Sequence, residues 1–215
     1  MSRAAEKLIS QIKQDIADGL LKPGDQLEEA ALSERFGVSR TPIREAVRSM
    51  VDSGLLETRP RKGAFVRTMS AKELLDLFDV AAELEAMASR VAAEKLRQSD
   101  VQLIKTGLDA CYAAAEADDA KAYCQANLDF HRAIHKASGN YWLTEQLKQI
   151  ELHINAYRSM PYEVRGRMEK SVQEHQEIFD AIMEGNGEKA RILMRDHMML
   201  QGQRLPSLIQ ALENQ

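Results

Sequence analysis

The chain has 215 residues, of which 44% are hydrophobic and 29% charged, and a formal net charge of −4. That content excludes intrinsic disorder, and 11 Gly with 5 Pro argue against a turn-rich all-β fold. No run reaches the ~18 apolar residues of a membrane span, the start MSRAAEKLISQIKQDI lacks the apolar block of a secretory signal, and 2 cysteines make no disulfide framework, so a cytoplasmic, mainly α protein with no membrane partner is expected.

Residues 3–18 place Leu8, Ile12 and Ile16 on one helical stripe, and Gly19 with Pro23-Gly24 then marks a turn. EEAALSERF (28–36) predicts a short helix stopped at Gly37. Ser39 is placed to cap a following helix to about Ser53, whose first turn holds Thr41-Pro42 and whose apolar positions are Ile43, Val47 and Met50. Two short extended pieces, 55–58 and 64–67, flank the basic tip Arg59-Pro60-Arg61-Lys62-Gly63. Two helices about a four-residue turn and then a hairpin describe a winged helix-turn-helix over residues 1–68.

Beyond Arg67 the pattern is helical throughout. Ser70-Ala71-Lys72-Glu73 reads as a capping box opening a helix to about Arg97, and Ser99-Asp100-Val101-Gln102 as another opening a helix to about Ala117. Further helices fit 119–138, 141–159, 163–184 and 188–202, with a short tail helix after Pro206. Residues 69–215 are therefore expected to form an all-α antiparallel helical bundle.

Charge is unevenly spread. Residues 35–67 carry eight Lys/Arg against three Asp/Glu, whereas 68–215 carry 17 against 23. A local basic segment in an acidic chain suits a small nucleic-acid contact surface, although a solvated charged stretch would look similar. Arg40, Arg44 and Arg48 recur at i, i+4, i+8 and so share one face of the second helix. Arginines there can donate two hydrogen bonds to guanine O6 and N7 in the major groove, and Thr41 can meet a phosphate or a thymine methyl. Arg61, Lys62 and Gly63 at the hairpin tip can reach the phosphate backbone or the minor groove. Spaced arginines alone fit any solvated helix; the turn before them and the basic hairpin after them favour double-stranded DNA.

Pro23-Gly24-Asp25-Gln26-Leu27-Glu28-Glu29, the run Leu32 to Ala46 (LSERFGVSRTPIREA) and Gly54-Leu55-Leu56 closely resemble the GntR family of bacterial transcription regulators. The resemblance implies base and phosphate contacts by Arg40, Thr41 and Arg44 and wing-tip contacts by Lys62 and Gly63; Arg48 comes from spacing alone. It also implies that the following bundle is the family's FCD-type effector and dimerisation domain. A homodimer on an inverted-repeat operator, in most relatives a repressor, is then expected.

The bundle has a second constellation. Tyr123, Asn127, Phe130, His131 and Ile134 share one stripe; Val172, His175, Ile178, Phe179 and Ile182 share another; Ala190, Leu193, Met194, His197 and Leu200 or Gln201 share a third. Each inward stripe thus carries a histidine, and imidazoles gathered from facing helices are a common way to bind a divalent transition metal. A satisfied core histidine is the plainer alternative at each position. His135 drifts off its stripe and is expected, with His153, at the surface or in ordinary packing. Glu174 is expected to point off the stripe of His175.

The metal-binding branch of the FCD domain has an aspartate or asparagine, a histidine four residues on and two later histidines. Asn127, His131, His175 and His197 match that order, with asparagine where many members have aspartate. Zinc, nickel or manganese would each suit three imidazoles and one oxygen. Many members hold the effector's carboxylate with an arginine four positions before the Glu of a Leu-Glu pair; in this sequence Ala81 stands there before Leu84-Glu85. A small-molecule carboxylate would then need Arg158, or the metal itself, with Tyr123 nearby. The chain is therefore expected to be a ligand-responsive regulator and not an enzyme. The alternatives are a metal-dependent hydrolytic enzyme fused to a DNA-binding domain, for which no general base stands beside the histidines, and a constitutive DNA binder with a structural metal.

Overall fold

Leu8, Ile12 and Ile16 are buried along one side of helix α1 (Arg3–Ala17), where they meet Ile43, Ala46 and Met50 of the third helix. Four-residue spacing makes such stripes, and burying each of the Leu, Ile and Met side chains contributes about 1.5–3 kcal/mol. The computed structural model describes residues 1–17, 19–157 and 166–199. They fall into two compact units, one ending at Ser70 and the other beginning at Ala71.

In the first unit, strand β1 (Gln26–Leu27) precedes α2 (Glu29–Phe36) and α3 (Arg40–Asp52), then β2 (Leu56–Arg59) and β3 (Gly63–Val66). Gly37 ends α2 at φ 63°, a left-handed conformation that glycine adopts without steric cost, and so sets the turn into α3. Ser39 precedes α3 in extended conformation, but its side chain makes no capping hydrogen bond, contrary to the expectation for it. The sheet is antiparallel in the order β1-β3-β2, with Leu56 opposite Val66 and Leu27 opposite Ala64. β1 is an addition to the two extended pieces read from the sequence: two residues are too few to show a period, and the strand exists because β3 offers it an edge.

The second unit comprises α4 (Ala71–Lys95), α5 (Gln98–Glu116), α6 (Ala120–Ala137), α7 (Tyr141–Ile154) with a 3₁₀ turn Asn155–Tyr157, α8 (Arg167–Met183) and α9 (187–199). α6 and α8 each pack against both α4 and α5. Asp119 caps α6 by accepting from the Ala122 N–H, and Asn140 caps α7 through the Leu143 N–H. α5 begins at Gln98, before the expected Ser99 cap; Asp100 instead pairs with Arg97 across the first turn. α7 ends at Ile154 and α8 begins at Arg167, and the expected ends of these two helices at 159 and 163 lie outside the described residues. The expected tail helix, the last residues of 188–202 and Arg158 lie outside the described residues. Among the described residues no helix is long and apolar enough to cross a membrane.

Candidate functional site

In the first unit the buried stripe of α3 leaves Arg40, Thr41, Arg44 and Arg48 exposed on the remaining surface of the helix. Arg44 Nε donates to Glu29 Oε2 at 3.1 Å, so the first turn of α2 holds the middle arginine of the row. The wing tip is tightly turned. Lys62 N donates to the Arg59 carbonyl, Arg61 and Gly63 take φ of 62° and 90°, and Gln26 Nε2 donates to the Lys62 carbonyl at 2.6 Å. Gln26 was not foreseen; its register opposite Phe65 places it beside the tip. Arg61, Lys62 and Gly63 are exposed there. Not every basic residue of the segment belongs to this surface. Arg35 forks onto buried Asp15 of α1, and Arg59 pairs with Glu57 while its guanidinium lies 4.2 Å from the Phe65 ring centroid.

In the second unit α6, α8 and α9 bring His131, His175 and His197 together. All three are buried, and one ligand nitrogen from each lies within 4.8 Å of the others. His175 Nε2 and His197 Nε2 face one another at 3.2 Å. Phe130 stacks on His175 at 4.4 Å between centroids, and the Tyr123 ring lies parallel to the same imidazole at 6.5 Å. Asn127 is fully buried one turn before His131.

Acidic side chains surround this cluster in ways the sequence did not disclose. Glu174 does not point away: its Oε2 lies 2.7 Å from His197 Nδ1, and Arg167 donates to both its oxygens at 2.9 and 3.3 Å. His135 is buried and not at the surface, with Nε2 2.8 Å from Glu85 Oε2, and the same oxygen lies 3.2 Å from His131 Nδ1. Glu85, His131 and His135 thus form a second group of potential ligands sharing His131 with the first. Ala81 is buried one turn before Glu85 and offers no cation.

The electrostatics follow from burial and neighbours. Burial pulls the His197 imidazole down to about 4 against the opposing pull of Glu174, so the ring is neutral at pH 7 and a lone pair is available. Burial raises the Glu85 carboxyl, but His135 and His131 more than offset it and hold it well below the usual carboxylate range. At Glu174 burial is likewise outweighed, by the hydrogen bond and charge of His197 and by Arg167. A buried imidazole whose charged form is disfavoured, with carboxylates close by, is suited to holding a cation. Glu174 is already engaged by His197 and Arg167, which removes it as a general base.

A winged helix-turn-helix with an exposed arginine row, followed in sequence by a helical bundle, defines a two-domain DNA-binding regulator. Residues 4–66 match the family of bacterial regulatory proteins named gntR, and residues 76–199 match the FCD domain, so the chain belongs to the GntR family of transcription regulators in the branch carrying an FCD domain. It is 27% identical to the probable D-xylose utilization operon transcriptional repressor of Paenarthrobacter nicotinovorans, over 87% of this chain and 82% of that one. It is also 27% identical to the galactonate operon transcriptional repressor of Escherichia coli, over 86% and 89%. Among solved structures, E. coli McbR/YncC superposes with a TM-score of 0.84 at 25% identity, covering 99% of this chain and all of that one. The two named relatives are transcriptional repressors, and with both family matches the chain is a DNA-binding transcription regulator and not an enzyme.

Proposed function

We propose that this regulator is a metabolite-responsive repressor that binds an inverted-repeat operator as a homodimer and releases it when a small organic acid occupies the bundle. The observation carrying this reading is the convergence of His131, His175 and His197 from α6, α8 and α9. With the Asn127 side-chain oxygen they make a donor set of three imidazoles and one amide, which fits zinc, nickel or manganese. When bound, the ion supplies a Lewis-acidic centre for the effector's carboxylate. Tyr123, beside His175, lines the same region, and Arg158 is assigned to the effector as a cation. Two relatives, repressors of a D-xylose utilization operon and of a galactonate operon, support a small hydroxylated metabolite as the signal.

On DNA, Arg40, Arg44 and Arg48 face the major groove, with Thr41 on a phosphate or a thymine methyl, while Arg61, Lys62 and Gly63 contact the backbone or minor groove at the wing. Effector binding shifts operator affinity only as far as it prefers the DNA-incompetent dimer, ~1–3 kcal/mol in typical cases. The test joins elemental analysis of the purified protein to operator selection from a randomised duplex pool, with and without small acids. About one equivalent of transition metal in the wild type, lost in His175→Ala, and a selected duplex released by at least one acid are expected. Equal metal content in both proteins would remove His175 from the ligand set, and no acid-sensitive duplex would end the effector reading.

A further inference from the structure

We propose that Glu85 and Glu174 are the positioning residues of this candidate metal centre. Each accepts a hydrogen bond from the Nδ1–H of one ligand imidazole, His131 or His197, and so turns the opposite nitrogen, Nε2, to the ion. The inference rests on the metal reading above and adds residues to it.

A carboxylate can only accept a hydrogen bond. Glu174 Oε2 at 2.7 Å therefore makes His197 Nδ1 the protonated nitrogen, and the lone pair falls to Nε2, the nitrogen that meets His175. Glu85 Oε2 at 3.2 Å does the same for His131. Each acid is in turn held from behind by a buried group. Arg167, 2% exposed, forks onto Glu174, and His135, 3% exposed, donates to Glu85. The two arms are alike in plan but differ in charge: a permanent cation backs Glu174, and an imidazole backs Glu85. This arrangement also separates the two overlapping groups of potential ligands. His131 Nδ1 is committed to Glu85, so Glu85 and His135 support the ion held by His131, His175 and His197 and do not hold a second one. Ligand histidines bound in this way to an outer carboxylate lose about 10–100-fold in metal affinity when the carboxylate is removed.

The experiment titrates zinc into the metal-stripped full-length chain against a chromogenic chelator, with stoichiometry by elemental analysis and thermal unfolding of each metal-free variant as a fold control. Glu174→Ala and Glu85→Ala should each weaken zinc about 10–100-fold while still taking one equivalent at saturation, and Glu174→Gln, which keeps an acceptor oxygen for Nδ1–H, should recover most of the loss. If Glu174→Ala does not fold, Glu174→Leu with Arg167→Met removes the charge pair as a unit and carries the same expectation. Undiminished affinity in the alanine variants overturns the proposal and leaves the metal site standing. Two equivalents in the wild type, falling to one in His135→Ala, overturn it in favour of a second ion at Glu85, His131 and His135. No zinc uptake by the wild type overturns the metal reading and this proposal together.

Discussion

At His197 burial and a carboxylate pull in opposite directions, and burial wins, leaving the imidazole near pKa 4 against an ordinary 6.5. Between those values the unfolded chain binds a proton that the folded chain refuses, so stability rises with pH through the window and falls as acid is added. Glu85 and Glu174, held low in the fold, act in the same direction at the acid end. The metal-free protein should therefore unfold at a distinctly lower temperature at pH 5 than at pH 7, and His197→Gln should shrink that difference. An unchanged pH slope in the variant would show that His197 is not the group responsible. The three cluster histidines were legible because four-residue spacing puts each on an apolar stripe. Glu85, Glu174 and Arg167 were not, because what ties them to the cluster is a partner on another helix or two turns away. His135, expected at the surface or in ordinary packing, is buried against Glu85 for a related reason: α6 packs on both α4 and α5, so its buried arc is wider than one stripe.

Helix–helix approach depends on single residues as well. A Cβ added to Gly107 of α5 would stand 2.7 Å from Phe130 Cα and 2.9 Å from Phe130 N, so the two helix backbones meet where only hydrogen fits. Elsewhere in a helix Gly→Ala gains up to about 1 kcal/mol of propensity. At this position the overlap is with backbone, which cannot rotate away, and Gly107→Ala should destabilise by about 1–3 kcal/mol in denaturant unfolding. Phe130 also stacks on His175, so the same substitution should disturb the histidine cluster. Most elements were readable from periodicity and capping residues, as at Asp119 and Asn140. The misses lie where the cause is tertiary. β1 forms on the edge of β3, and α5 starts early with Arg97 and Asp100 pairing across its first turn.

For the whole molecule, an acidic chain of net charge −4 must hold a polyanion through a few local cations. Binding should weaken steeply with salt, with a slope set by the number of phosphates contacted, about 0.9 per phosphate. Lys62→Ala should lower affinity for selected and random duplexes alike and flatten that slope by about one contact, read from dissociation constants at several salt concentrations. A loss confined to the selected duplex would mean that Lys62 reads bases. The two-domain plan itself was visible early, since the arginine row and the histidine stripes are each local to a few helices.

The Glu29–Arg44 pair has a kinetic side. If Arg44 reads bases as proposed, Glu29 competes with DNA for it, which loosens the grip on irrelevant sequence and shortens each pause during a genomic search. Glu29→Gln should therefore bind random duplex more tightly and discriminate less, measurable as a smaller ratio between selected and random dissociation constants. An unaltered ratio would mean that the acid is a bystander.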